Sequence, residues 1–208
     1  SNMPEVIHHY MDRIEKSKIL KDLDIEQNKF FIVSAHREEN VDSPENLKNL
    51  LESLEAIHSK YKLPIIVSTH PRTKKRLEEI GFNNKNNDIK FLKPFGFYDY
   101  MFLQMNSLCV ISDSGTIFEE SSILNLPSIT IRNAHERPEG MDEAILIMSG
   151  LKKEDVLRSI KVILQQRNEN PEIISKVKDY DVMNASKKIL RIVLSYTNYV
   201  NRTVWKKF

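Results

Sequence analysis

The feature that most limits what this chain can fold into is a change of period that recurs along its middle. Short apolar runs end in polar residues and give way to stretches whose apolar residues fall at helical spacing. Phe30-Phe31-Ile32-Val33 leads into Ser34-Ala35-His36. Asp42-Ser43-Pro44-Glu45 then reads as a helix start, with a cap residue before proline, and Leu47, Leu50, Leu51, Leu54 and Ile57 follow at helical spacing. Leu63 to Ser68 repeats the strand pattern and ends at His70, and a basic helix from Pro71 to Ile80 is stopped by Gly81. Ile89 to Leu92, Leu108 to Ile111 and Pro127 to Ile131 read as further strands, with Ala144 to Met148 as a sixth; helices are predicted over Phe97–Asn106 and Thr116–Leu124. Apolar strands alternating with helices imply a parallel sheet covered on both faces. In such sheets ligands gather at the carboxyl ends of the strands, so His36, His70 and Asp113, each just past a strand, are expected to face one crevice.

The flanks read differently. Val6–Leu23 is predicted as a charged entry helix, Val156–Leu164 as a helix, and Met183–Tyr199 as another with Ile189, Ile192, Val193 and Tyr196 on one face. The expected organisation is a short leader with a cloning remnant (Ser1-Asn2) and entry helix over 1–24, a nucleotide-binding unit over 25–182, and a terminal helix over 183–208. At 208 residues and 40% hydrophobic the chain can bury a core. Its 31 basic and 29 acidic residues leave a net charge of +2, interspersed, which gives no signature of nucleic acid. One cysteine, Cys109, excludes a disulfide framework. No apolar run has the length of a membrane span and no signal peptide is read, so a soluble, cytoplasmic protein is expected.

Four segments at strand ends carry chemistry. In Ser112-Asp113-Ser114-Gly115-Thr116-Ile117-Phe118-Glu119-Glu120 a strand feeds a small-residue turn that opens a helix. Unpaired N–H groups and the positive end of the helix dipole make such a turn a seat for phosphate or diphosphate. Glu120, about one turn in, can accept hydrogen bonds from sugar hydroxyls; the plainer alternative is an ordinary helix cap. In Ser34-Ala35-His36-Arg37-Glu38-Glu39-Asn40, His36 and Arg37 can neutralise an oxyanion, while Glu39 or Asn40 can orient the imidazole; the alternative is a charged surface turn. Arg132-Asn133-Ala134-His135-Glu136-Arg137-Pro138-Glu139-Gly140 places Arg137 before a proline that disfavours helical backbone, which suits a guanidinium held for phosphate; salt bridging within the loop is the alternative. Pro94-Phe95-Gly96-Phe97-Tyr98-Asp99-Tyr100 is either core or an aromatic bed for a base. His8, His9 and His58 fall on helices and are read as carrying no chemistry. The histidines lack metal-ligand spacing, so no metal is expected.

In their order and wording these segments resemble the non-hydrolysing UDP-N-acetylglucosamine 2-epimerase family. The matching stretches are His36-Arg37-Glu38-Glu39-Asn40, then Asp113-Ser114-Gly115 through Glu119-Glu120, then Arg132 through Glu136-Arg137-Pro138-Glu139. The match runs from about residue 25 to the C-terminus. Two departures stand out: Thr116 where the family usually has a second glycine, and His135 where it usually has threonine. His135 and the residues after it resemble the branch that makes UDP-N-acetyl-L-fucosamine.

The resemblance implies the second of two Rossmann-like halves of a B-type glycosyltransferase-like fold. It also implies a reaction that eliminates UDP from a UDP-2-acetamido sugar and adds it back after inversion, with no metal or nicotinamide cofactor. Carried over, Ser114, Gly115 and Thr116 take the diphosphate, Glu120 the ribose, and Phe95 and Tyr100 the uracil. His36 and Arg137 act at the leaving group, with Arg37, Glu39, Asn40, Asp113, His135 and Glu136 in support. The implied partners are an N-terminal half that brings the acid–base carboxylates, and a second copy in a homodimer; neither nucleic acid nor a membrane is implied. Surface-polysaccharide precursors are the expected product class. The rivals are half of a B-type glycosyltransferase, against which the Arg132–Glu139 loop argues, and a non-catalytic nucleotide-binding module.

Overall fold

The computed structural model describes residues 1–171 and 176–207. Its elements, in chain order, are α1 (Met3–Ile14), α2 (Ile19–Leu23), β1 (Phe31–Ser34), α3 (Glu38–Val41), α4 (Pro44–Tyr61), β2 (Ile65–Ser68), α5 (Pro71–Glu79) and β3 (Ile89–Leu92). There follow α6 (Phe97–Asn106), β4 (Cys109–Ser112), α7 (Ile117–Leu124), β5 (Ser128–Thr130), α8 (Pro138–Asp142), β6 (Ile147–Met148), α9 (Lys153–Glu169) and α10 (Ala185–Thr203). The strands form one parallel sheet in the order β3-β2-β1-β4-β5-β6. The order reverses between β1 and β4, so the crevice of this fold opens above that pair, where a ligand is expected. All the strands read from the sequence are present.

Successive side chains of a strand point to opposite faces, and both faces here are apolar. Phe31, Val33, Ile65, Val67, Cys109, Ile111 and Ile129 pack against Leu47, Leu50, Leu54 and Ile57 of α4 and Val156 and Ile160 of α9. Phe30, Ile32, Ile66 and Val110 pack against Leu103 of α6 and Ile117 and Phe118 of α7. Helix α4 starts as the sequence predicts: Ser43 accepts a hydrogen bond from the Asn46 amide, and Pro44 opens the first turn. Gly81 just past α5 takes φ +61°, a backbone value that glycine adopts without strain.

The single entry helix expected over Val6–Leu23 is instead two helices. Ser17 breaks it, because its hydroxyl donates to Asp99 of α6 at 2.6 Å and accepts from the Ile19 amide at 3.2 Å, so the turn is pinned to the body. Ile7 and Ile14 of α1 are buried with Met101 of α6, so α1 packs as part of this unit. The short helices α3 and α8 fall in segments read as turn and loop. Helix α10 begins at Ala185 rather than Met183, and none of its described residues is buried.

Candidate functional site

The chain leaves β1 through Ala35, whose carbonyl accepts the Thr73 hydroxyl at 2.5 Å, and reaches His36 at the rim of the crevice. Across the reversal point β4 ends at Ser112 and delivers Asp113, which is fully buried. The Asp113 carboxylate spans the gap between the two strand ends. It accepts the His36 amide at 2.9 Å, the Arg37 amide at 2.9 Å and the Asn40 side-chain amide at 3.1 Å. Its Oδ1 lies 3.1 Å from His36 Nδ1. Burial works against the charge of Asp113, but the hydrogen bonds from His36, the Arg37 backbone and Asn40 outweigh it and hold the carboxyl below its usual range. Asn40, also fully buried, ties this knot to β5 by donating to the Ile131 carbonyl at 3.3 Å. The imidazole is therefore held by Asp113, not by Glu39 or Asn40 as the sequence suggested. Glu39 turns instead to Arg132, at 3.1 Å. His70 lies beside His36 with ring centroids 5.5 Å apart.

The turn after β4 is held by its own hydroxyls. The Ser114 amide donates to Ser112 Oγ at 3.1 Å, and the Thr116 amide to Ser114 Oγ at 3.3 Å. Helix α7 opens at Ile117 with no side-chain cap, so its first amides depend on other partners. A Cβ on Gly115 would lie 3.5 Å from Arg37 Nη2, which places the Arg37 guanidinium directly over the turn. One turn into α7, Glu120 is buried and accepts the Gln104 amide at 2.9 Å. Burial dominates there and pushes its carboxyl up, despite hydrogen bonds from Gln104 and Thr116. Tyr100 stands against Glu120, Gln104 and Ser34; burial first, then the Glu120 charge, pushes its phenol up to about 12. Phe95 and Tyr100 are half-buried against the core on the α6–α7 side.

The charged residues of the loop after β5 are paired, mostly with neighbouring segments, rather than left open for phosphate. Buried Arg132 meets Glu136 at 3.1 Å as well as Glu39, and Arg37 reaches Glu136 at 3.6 Å. Arg137, expected at the phosphates, pairs with Glu119 at 3.0 Å. Only the Arg132–Glu136 pair is salt bridging within the loop; the other pairs tie the loop to Arg37, Glu39 and Glu119, and His135 is exposed. Gly140 is where α8 touches α7: a Cβ there would sit 2.6 Å from Phe118 Cδ1. The structure brings together His36, Arg37, Asn40, Asp113, Ser114, Gly115 and Thr116. His70, expected at the same crevice, lies beside His36, and the structure adds Thr73 and Gln104 as supports. Gln104 had a faint signal, since it stands four residues after Tyr100 on one helix; Thr73 had none, and neither did the pairing of Glu119 with Arg137, because the partners are distant in sequence.

Among the described residues, the buried side-chain atoms without a hydrogen-bond partner are Arg37 Nε, Asn40 Oδ1, Gln104 Oε1, Thr130 Oγ1 and Arg132 Nε. They gather at the strand ends and beside Glu120. Native proteins leave few such atoms, and those that remain mark places where further polar partners fit. The described residues contain no group of three metal-ligating side chains and no helix long and apolar enough to cross a membrane.

The sequence profile described as UDP-N-acetylglucosamine 2-epimerase matches residues 1–194. The chain belongs to that family. The UDP-N-acetylglucosamine 2-epimerase of Methanococcus maripaludis is 39% identical over 152 residues, which cover 72% of this chain and 40% of that protein. The solved UDP-N-acetylglucosamine 2-epimerase from Rickettsia bellii is 51% identical with a TM-score of 0.86, over all of this chain and 55% of that one. The Methanocaldococcus jannaschii UDP-GlcNAc 2-epimerase, solved in complex with UDP-GlcNAc and UDP, is 30% identical with a TM-score of 0.81, over 94% of this chain and 53% of that one. This chain therefore spans about half the length of the epimerases it matches. The architecture expected from the sequence, a Rossmann-like parallel sheet with helices on both faces, is the one these epimerases share over the matched region.

Proposed function

We propose that this chain is the UDP-binding half of an epimerase that inverts the acetamido-bearing carbon of a UDP-2-acetamido sugar. One observation carries the reading: at the reversal point Arg37 overhangs a Ser114-Gly115-Thr116 turn that opens α7, His36 stands against the Asp113 that precedes that turn, and Glu120 is buried one turn inside. That arrangement suits a nucleoside diphosphate. The turn takes the diphosphate, Glu120 the ribose hydroxyls, and the Phe95–Tyr100 side the base. UDP and UDP-GlcNAc in the M. jannaschii relative support the choice of uracil.

The reaction removes the proton from the acetamido-bearing carbon and breaks the bond from the anomeric carbon to the diphosphate. The electron pair becomes a carbon–carbon double bond, and UDP departs as an anion. A proton delivered to the opposite face, with UDP returning to the anomeric carbon, completes the inversion. This half stabilises the charge that grows on the leaving diphosphate. His36 and the α7 amides are suited to this, and well-aimed donors in a dry site contribute about 3–4 kcal/mol each. Arg137 joins them by exchanging the Glu119 carboxylate for phosphate, with Arg37, Glu39, Asn40, Asp113, His135 and Glu136 in support. The proton-transferring carboxylates belong to an N-terminal half. The exposed face of α10 packs against that half, and the complete enzyme is a cytoplasmic homodimer without metal or nicotinamide cofactor. His135 and its following residues favour the fucosamine-type sugar, for surface-polysaccharide precursors.

By itself the chain is expected to bind UDP weakly and to be catalytically silent, because orientation and proton transfer need both walls of the cleft. The deciding experiment incubates the complete enzyme with UDP-2-acetamido sugars in deuterated water. Deuterium at the acetamido-bearing carbon is expected; its absence from every such sugar sinks the reading.

A further inference from the structure

We infer that Asp113 is a positioning residue for the chemistry, setting which imidazole nitrogen of His36 faces the leaving diphosphate; this rests on the function proposed above. Asp113 Oδ1 lies 3.1 Å from Nδ1 of His36, while the same carboxylate takes the His36 and Arg37 backbone amides at 2.9 Å each. Those contacts fix the ring from two directions, through its own nitrogen and through its backbone. A carboxylate with no proton can only accept, so a hydrogen bond across this separation requires the hydrogen on Nδ1. Nε2 is then the nitrogen left for the ligand, and it donates to the diphosphate oxygen when the ring takes up a proton.

Asn40 keeps the carboxylate from rotating. Its amide donates to Asp113 Oδ2 at 3.1 Å and to the Ile131 carbonyl at 3.3 Å, which secures the carboxylate to β5. His70, 5.5 Å from His36 between ring centroids, closes one side of the imidazole. A serine–histidine–aspartate triad uses the same logic: a buried carboxylate fixes tautomer and orientation without itself exchanging the proton. Here the carboxylate has a second task, because it also joins the ends of β1 and β4. One residue therefore both links the two strand ends at the reversal point and contacts the reactive ring.

The test has two readouts. Nitrogen-15 NMR of the His36 ring in this chain is expected to show the Nδ1–H form when the ring is neutral; a dominant Nε2–H form overturns the inference whatever the variants do. Asp113→Asn, close in shape, turns an N–H toward the ring and is expected to shift the population to Nε2–H. In the complete enzyme the same variant is expected to lower kcat at least 10²-fold while UDP affinity changes less than about threefold, since removing the carboxylate at such a pair leaves the wrong tautomer. His36→Asn is measured alongside. If His36→Asn lowers kcat and Asp113→Asn does not, the positioning role is wrong and the function stands. If neither lowers kcat, the assignment of His36 to the leaving group fails, and the catalytic part of this inference fails with it. Should Asp113→Asn not fold, Asn40→Ala, which frees the carboxylate to rotate, is expected to lower kcat about tenfold with UDP affinity retained; an unchanged kcat counts against the inference.

Discussion

The crest of the sheet and helix α10 break the usual rule of burial in opposite directions. At the crest, Asn40, Asp113, Glu120, Thr130 and Arg132 are buried although they are polar or charged. On α10, Ile189, Ile192, Leu194 and Tyr196 are more than half exposed although they are apolar. Burying a charge is costly unless hydrogen bonds compensate it, and exposing an apolar stripe forgoes the gain from its burial. The crest meets part of its cost locally, through the Asp113 knot. Helix α10 has no such local answer, since no residue of it is buried among the described residues. Its charge is also one-sided: Lys187, Lys188, Arg191, Arg202, Lys206 and Lys207 follow the last acidic residue, Asp181. Both regions leave groups without partners among the described residues: buried polar atoms such as Arg37 Nε, Asn40 Oδ1 and Arg132 Nε at the crest, and an exposed apolar stripe on α10.

The largest effect should come from truncating the same residue type in each region. Ile111→Ala, in the fully packed face beneath the crest, is expected to cost about 2–5 kcal/mol in denaturant melts of this chain. Ile192→Ala on α10 is expected to stay within about 0.5 kcal/mol. A comparable loss at both would show that α10 packs on this unit after all. Next in size is His36→Asn in the complete enzyme, expected to reduce kcat by roughly 10²-fold and UDP affinity far less. Loss of affinity alone would make the histidine a structural part of its turn. Gly140→Ala, which drives a Cβ into Phe118, is expected to cost about 1–3 kcal/mol in thermal or chemical unfolding; a neutral result would mean that α8 can lift from α7 without penalty.

The smallest effect separates two carboxyls within the crest. Asp113 is held below its ordinary value of 3.8, so the stability it contributes is full above that value and lost as pH falls through its lower folded pKa. Glu120 is pushed above its ordinary value of 4.5, so its contribution is present below that value and lost as pH rises through the folded pKa. At neutral pH, Glu120→Gln should therefore raise the melting temperature slightly while weakening UDP binding and raising KM with little change in kcat. A melting temperature that falls would show that the charged form is the stabilising one. That combination, a gain in stability with a loss of binding, is what a carboxylate retained for a ligand predicts.

The periodicity of the sequence was enough to establish the parallel sheet, because a strand buried on both faces must be apolar throughout and the intervening helices carry their own spacing. It also put the candidate site residues at the ends of β1, β4 and β5, since polar residues that terminate apolar strands have nowhere else to stand. The family resemblance was legible for a related reason: His36 to Asn40, Asp113 to Glu120 and Arg132 to Glu139 are each contiguous, so their spacing survives without any knowledge of the fold. What the residues contact was not legible. Ser17 breaks the entry helix only because Asp99 waits 82 positions away, and His36 is held by a carboxylate 77 positions away. Arg137 faces Glu119, and Glu39 faces Arg132, because α7 and the strand ends bring them together. Local propensity and period are properties of neighbouring residues, so a sequence displays them. Pairing among charges of similar type is chosen by distance in space, and only the packed sheet and helices set that distance.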